Sequence, residues 1–64
     1  RSQEGLVQLR RAWSLNKDPE IAAHVGEVLW MLGQKDEARR FFDEARKLEP
    51  DNRALQRAIE ALGV

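Results

Sequence analysis

An internal repeat limits what this 64-residue chain can fold into more than any other feature of its sequence. Two triplets of apolar residues return 33 and 34 residues further along the chain: Leu9, Ala12 and Leu15 as Phe42, Ala45 and Leu48, and Ile21, Val25 and Val28 as Leu55, Ile59 and Leu62. Repeat lengths in this range are typical of solenoids, in which each unit buries its apolar face against its neighbours. The repeat therefore predicts a stack of similar units.

Four stretches of helically spaced apolar residues predict an all-α fold, and no segment alternates as a strand would. Asp18 can cap the free amides of the second helix, and Pro19 suits its first turn. Gly33 is a typical helix end, and Asp51 or Asn52 can cap the fourth helix. The second and third helices are expected to be antiparallel neighbours. The predicted helices cover about residues 3–15, 19–32, 36–48 and 53–62.

The third helix is predicted to have one charged side and one buried side. Oppositely charged residues four positions apart predict four ion pairs: Asp36–Arg40, Arg39–Asp43, Arg40–Glu44 and Asp43–Lys47. Each such pair contributes only ~0.2–0.5 kcal/mol, so these pairs indicate a solvated helix face rather than a binding site. The buried side is expected to carry small and large apolar residues in turn: Ala38, one of Phe41 and Phe42, Ala45 and Leu48.

The composition argues against several classes of function. Eleven basic and eleven acidic residues cancel and are interspersed, which argues against nucleic acid as the partner. The chain has no cysteine and one histidine, so we expect neither a disulfide nor a Cys/His metal site, and no cofactor. The longest apolar run, residues 28–32, is far shorter than the roughly 20 residues that span a bilayer. We therefore do not expect this segment to insert into a membrane.

The motif residues of the central unit resemble those of the tetratricopeptide-repeat family, whose unit is a helix-turn-helix. The matching positions follow the order of the family pattern: Val25-Gly26, Leu29, Ala38, Phe42, Ala45 and Pro50. Ala22 departs from it, because the family usually has a bulky residue there. The resemblance implies a single domain over residues 1–64, an antiparallel helix-turn-helix solenoid fragment. Its parts would be the second helix of one repeat (3–15), a complete repeat (19–52) and a capping helix (53–62).

The fourth helix differs from a complete repeat at one informative position. Glu60 stands where Gly26 stands in the central repeat, and a polar residue there is expected of a helix that caps the array. Residues 18–30 are also similar to the terminal repeats of large proteobacterial tetratricopeptide proteins. Some of those are outer-membrane lipoproteins that act as adaptors for periplasmic proteases. This similarity implies a bacterial protein on the periplasmic side of the outer membrane; otherwise a cytoplasmic location is expected, and the sequence itself leaves the location open.

The family resemblance implies a protein-protein interaction module, a scaffold or adaptor rather than an enzyme. Members of this family generally bind extended peptides on a concave surface formed by the first helix of each repeat. Trp30 and Met31, flanked by Glu27 and Arg57, are expected to form the contact patch, because aromatic, Met and Arg side chains are enriched at interface cores. The full set of predicted partner-binding residues is Glu20, His24, Glu27, Trp30, Met31 and Arg57.

Other interpretations of these residues remain open at this point. Trp30 could only pack on the capping helix, and Glu20 and Glu27 could be part of a solvated face rather than a site for a positively charged partner. Ala23 and Glu27 occupy positions where some family members carry Lys and Asn that grip a terminal carboxylate, so that clamp is not expected. His24 has no second histidine, cysteine or nucleophile to accompany it, and we expect neither metal binding nor catalysis there.

A purely structural role is the alternative function. In that role the chain would cap a larger repeat protein or mediate its self-association. The side of the first helix that carries Leu6, Leu9 and Trp13 is expected to be open, because the helix that would cover it in a full repeat is missing. Exposed apolar area of this kind drives association, so weak self-association through the first helix is also predicted.

Overall fold

Four α-helices form the described part of the chain, and the predicted all-α fold is confirmed. The computed structural model describes the backbone of residues 2–64 and the side chains of residues 4–64, and it contains no strand within them. The helices are α1 (Ser2–Leu15), α2 (Pro19–Met31), α3 (Lys35–Leu48) and α4 (Arg53–Leu62). The second helix ends, and the first and third begin, one residue earlier than predicted.

Side-chain caps fix the starts of α2 and α4. Oδ1 of Asp18 accepts a hydrogen bond of 2.8 Å from the amide of Glu20. Of the two residues predicted to cap α4, the structure uses Asn52, whose Oδ1 accepts a 3.0 Å hydrogen bond from the amide of Leu55. Each cap satisfies an amide that the helix itself cannot pair, so both helices begin at defined positions.

The turn between α2 and α3 explains the small shift in their predicted bounds. Gly33 has a φ of 86°, in the left-handed region. With the chain reversed there, the amide of Gln34 donates to the carbonyl of Leu29 at 2.9 Å, the hydrogen bond that closes a Schellman motif. Gln34 makes no side-chain cap, and α3 starts directly at Lys35. Leu32 is the C-cap residue between the helix and the glycine in this motif, so α2 ends at Met31.

α2 lies at the centre of the fold and packs against the other three helices. α2 and α3 approach closely at Gly26, where an added Cβ would lie 2.7 Å from Cε1 of Phe42. Glycine is therefore required there if the Phe42 ring is to stay in place. Of the two adjacent phenylalanines Phe42 is the buried one, while Phe41 is half-buried. The fully buried residues around this contact are mostly small: Ala22, Val25, Leu29, Ala38 and Ala45.

The predicted ion pairs on α3 are wrong in their spacing. The structure pairs charges three positions apart: Asp36 with Arg39, Asp43 with Arg46 and Glu44 with Lys47. Both spacings bring side chains together on a helix, so the rotamers decide between them and the sequence does not. All these pairs are exposed, as expected of a solvated face. One consequence is that Arg40 makes no salt bridge with any described residue.

The predicted open side of α1 also needs correction. Leu6 is only 6% exposed because it belongs to the core cluster that includes α2, and Leu9 and Trp13 are half-buried against the same cluster. The exposed apolar residues of α1 are instead Val7, at 59%, and Leu15, at 82%. Packing against α2, together with the contact between Trp13 and Phe41 of α3, therefore covers most of the predicted stripe. Self-association through α1 stays a prediction, with Val7 and Leu15 as its exposed apolar groups.

Among the described residues, no helix is both long enough and apolar enough to cross a bilayer.

Candidate functional site

Charged side chains of α2 and α4 border a groove, here called the α2/α4 groove. It encloses a cavity of about 450 Å³. Four of the six predicted partner-binding residues line it, together with two residues of α4 that were not in that set. The lining consists of Glu20, His24 and Glu27 on one side and Arg53, Ala54 and Arg57 on the other.

Helix geometry explains why these side chains meet. Glu20, His24 and Glu27 are spaced by four and then three residues, so they form one stripe along α2. Arg53 and Arg57 are four residues apart and form the matching stripe on α4. Both stripes lie beside the faces that these two helices bury against each other, so the core of the repeat holds the groove at a fixed width.

The two sides of the α2/α4 groove carry opposite charge. Nδ1 of His24 lies 3.7 Å from Oε1 of Glu27, on the acidic side. Within residues 4–64, neither Arg53 nor Arg57 forms a salt bridge, with the facing carboxylates or with any other acid. Arginine guanidinium groups without an internal partner are available to bind carboxylates or backbone carbonyls of another molecule.

Trp30 and Met31, the other two predicted binding residues, do not line the α2/α4 groove. The Trp30 ring lies near two cations of α3, with its centroid 4.9 Å from Nζ of Lys35 and 5.4 Å from Cζ of Arg39. These contacts show that the ring is turned toward α3 and not toward Arg57. Met31 is 78% exposed and lies just before the turn.

The structure contains a second groove, here called the α1/α3 groove, which was not predicted from the sequence. Its cavity measures about 500 Å³. The edge of one aromatic ring meets the other at its base, with the centroids of Trp13 and Phe41 6.0 Å apart and the ring planes at 71°. The groove is lined by three apolar and three charged residues: Trp13, Phe41 and Leu48, and Lys17, Arg40 and Glu44.

One sequence signal could have predicted the α1/α3 groove. Phe41 and Phe42 are adjacent, so on a helix their side chains point about 100° apart and only one can enter the same core. Once Phe42 is assigned to the core by the repeat pattern, Phe41 must lie on another face. The sequence does not say that this face meets Trp13, because the two aromatic residues lie at different repeat positions.

Among the described side chains, no group of three or more His, Cys, Asp or Glu residues is arranged so that it could hold a metal ion.

Comparison with known families identifies the central repeat. The family model for the tetratricopeptide repeat matches residues 19–52, which is more than half of the chain and the same segment that the motif residues outlined. Comparison with curated proteins and with solved structures found no significant match. The narrower similarity to proteobacterial lipoproteins therefore stays a prediction. Tetratricopeptide repeats as a class are protein-interaction modules. By the match to residues 19–52 and the helix-turn-helix that these residues form, the chain belongs to the tetratricopeptide-repeat family.

Proposed function

We propose that the α2/α4 groove binds an extended segment of a partner protein and that the chain acts as part of a scaffold or adaptor. The observation that carries this proposal is the pair Arg53 and Arg57, which form no salt bridge with any described residue and face the carboxylates of α2 across a cavity of about 450 Å³. An interaction module needs polar groups that are free to pair with a partner, and these two guanidinium groups meet that need.

The charge pattern suggests which segment would fit. Glu20 and Glu27 favour a basic side chain on the α2 side, while Arg53 and Arg57 favour an acidic side chain on the α4 side. Successive side chains of an extended peptide point to opposite sides. The preferred partner segment therefore alternates basic and acidic residues. Ala54, between the charged rows, leaves room for its backbone.

A library of displayed random peptides, selected on the 64-residue chain, tests this proposal. Peptides that are enriched would then be measured by fluorescence anisotropy against the double variant Arg53→Ala/Arg57→Ala. A hydrogen bond to a charged group contributes about 1.5–3 kcal/mol, so we expect affinity to fall by about tenfold or more.

The matched control is Arg11→Ala/Arg46→Ala, which removes the same charge outside the α2/α4 groove. We expect this control to change affinity by less than about twofold, since surface charges distant from a site act weakly at physiological salt. Enriched peptides that bind the groove variant and the control equally well would show that the proposal is wrong.

A second candidate function is that α4 serves mainly as a structural cap of the repeat stack. Two observations favour it. Glu60 is exposed at the position equivalent to Gly26, where α3 approaches α2 closely. Gly63, which ends α4, is equivalent to the fully buried Leu29. A helix could therefore not pack on α4 in the way that α3 packs on α2.

The two functions make different predictions for α4. For a cap alone, the library selects no peptide whose binding depends on Arg53 or Arg57. Changes in α4 would then act through stability alone, as for Leu55→Ala, where truncation of the buried side chain should cost about 2–5 kcal/mol. For a binding module, the arginine variants lose affinity while their unfolding midpoints stay unchanged.

A further inference from the structure

The α1/α3 groove differs from the surface proposed above in position and chemistry. Its residues come from α1, from the turn after it and from α3, and neither α2 nor α4 contributes to the lining. A ligand in one groove therefore touches none of the residues that line the other. What occupies the α1/α3 groove is a separate question from what binds between α2 and α4.

The base of the α1/α3 groove is apolar and partly exposed. Trp13 and Phe41 meet edge to face there, and Leu48 is 48% exposed at one end. Exposed aromatic and leucine side chains in a concave site gain free energy when an apolar group covers them. A cavity of about 500 Å³ is large enough to accept one bulky side chain of a partner.

The rim of this groove carries an excess of positive charge. Nζ of Lys17 lies 4.6 Å from the centroid of the Trp13 ring, and Lys17 forms no salt bridge within residues 4–64. Arg40 also makes no salt bridge among the described residues. The single acid of the rim, Glu44, lies 3.9 Å from Nζ of Lys47 and so is already shared with a cation outside the rim. Two cations thus remain for the acidic groups of a ligand.

We propose that the α1/α3 groove is a second docking site, which binds an acidic segment of a partner protein that inserts one bulky apolar side chain. The apolar side chain covers Trp13, Phe41 and Leu48. Carboxylates on either side of it pair with Lys17 and Arg40. The chain then has two interaction surfaces, so it can hold two protein segments at once.

Three synthetic peptides, each labelled with fluorescein, test the proposal by anisotropy. The first, Glu-Asp-Trp-Glu-Asp-amide with the label on its N-terminal amine, has the predicted chemistry. The second replaces its Trp by Ala, and the third replaces its four acids by Lys. We expect the first peptide to bind more tightly than the second by about tenfold, because only the first can cover the apolar base. The third should not bind.

Two double variants with the same net charge separate this site from general attraction to the surface. Lys17→Gln/Arg40→Gln removes the rim cations, and Arg53→Gln/Arg57→Gln removes two cations of the α2/α4 groove. We expect the rim variant to bind the acidic Trp peptide about tenfold more weakly than the wild type. The second variant should bind it as the wild type does. All these side chains are exposed, and thermal unfolding of each variant would verify that the fold is unchanged.

Leu48→Ala gives an independent test of the apolar base, since it removes exposed apolar area at the end of the groove without a change of charge. We expect this variant to bind the acidic Trp peptide more weakly while its helix content is unchanged.

Several outcomes would overturn the proposal. Equal losses in the two double variants would mean that only overall charge attracts the peptide. Equal affinity for the Trp and Ala peptides would mean that the base is not used. A concentration-dependent dimer that is seen by sedimentation and is lost in Lys17→Gln/Arg40→Gln would assign the groove to a second copy of this chain. Each of these results is independent of whether library peptides bind to Arg53 and Arg57.

Discussion

The two grooves of this chain are built in different ways. α2 and α4 pack directly, and the α2/α4 groove is lined mostly by charged side chains. In the described part of the chain, the backbones of α1 and α3 make no close approach, and these helices meet through side chains: Trp13 with Phe41, and Arg10 with Glu37 at 2.8 Å. The shape of the first groove therefore depends on the repeat core, and that of the second depends on a few individual side chains.

This difference predicts which substitutions affect both grooves and which affect only one. The contact between Gly26 and Phe42 joins α2 to α3, so it supports one helix of each groove. The cap of α4 supports only the α2/α4 groove, and the Arg10–Glu37 pair supports only the α1/α3 groove.

The largest effect is expected for Phe42→Ala. The side chain is 1% exposed, and removal of a buried phenylalanine costs about 3–5 kcal/mol. For a domain of this size that is a large part of the total stability, so both grooves should be lost together. Urea unfolding followed by circular dichroism measures the loss. Phe41→Ala is the matched control: it should cost clearly less and weaken only ligands of the α1/α3 groove. If Phe41→Ala were the more damaging of the two, the assignment of the core would be wrong.

Gly26→Ala should have the next largest effect. The added Cβ would lie 2.7 Å from Cε1 of Phe42, so the ring or α3 must move, at a cost of about 1–3 kcal/mol. Displacement of α3 should weaken acidic peptide binding at the α1/α3 groove more than binding between α2 and α4. Glu60→Ala, at the equivalent position of α4, is the control and should change stability by less than about 0.5 kcal/mol. Equal stability of the Gly26 variant and the wild type would refute the close approach.

Asn52→Ala should cost about 1 kcal/mol, because the amide of Leu55 loses its 3.0 Å cap. The first turn of α4 carries Arg53, so the α2/α4 groove should bind library peptides more weakly while the α1/α3 groove is unchanged. Asp51→Ala removes the adjacent residue, which does not cap α4, and serves as the control. Hydrogen exchange of the α4 amides would measure the difference. Matching exchange rates in the two variants would contradict the assigned cap.

The smallest effect is expected for Arg10→Ala. The ion pair with Glu37 is exposed, with 46% and 38% of the two side chains accessible, so its loss should cost no more than about 1 kcal/mol. High salt should reduce the difference from the wild type by screening the pair. Only ligand binding at the α1/α3 groove should change. Arg11→Ala, which breaks no salt bridge among the described residues, is the control, and an equal effect of the two changes would exclude a bridging role for Arg10.

How well the sequence predicts each region depends on whether the repeat core or a few individual side chains build that region. The helices were predictable because the 34-residue pattern repeats their apolar residues, and Gly26 and Phe42 because they match the family motif. Four of the predicted binding residues also meet in one groove, since helical spacing alone places Glu20, His24 and Glu27 on one face. A binding role for Trp30 stays a prediction, and the position of its ring beside Lys35 and Arg39 of α3 is a contact that no pattern within α2 reveals.

The α1/α3 groove was not predictable from the repeat. Trp13 and Phe41 lie at non-equivalent repeat positions: the residue equivalent to Trp13 is Arg46, and the residue equivalent to Phe41 is Gln8. Comparison of the chain with itself therefore gives no signal for this pair. The sequence also could not predict which charged residues on α3 form ion pairs, since pairs three and four residues apart are similar in energy.

Nuclear magnetic resonance tests most directly the claim that the α2/α4 groove binds peptides. The ¹⁵N-labelled chain would be titrated with a peptide enriched from the library. We predict amide shift changes along Glu20, His24 and Glu27 and at Ala54 and Arg57, with the α1/α3 groove unaffected. Shift changes confined to residues outside the α2/α4 groove would contradict the claim.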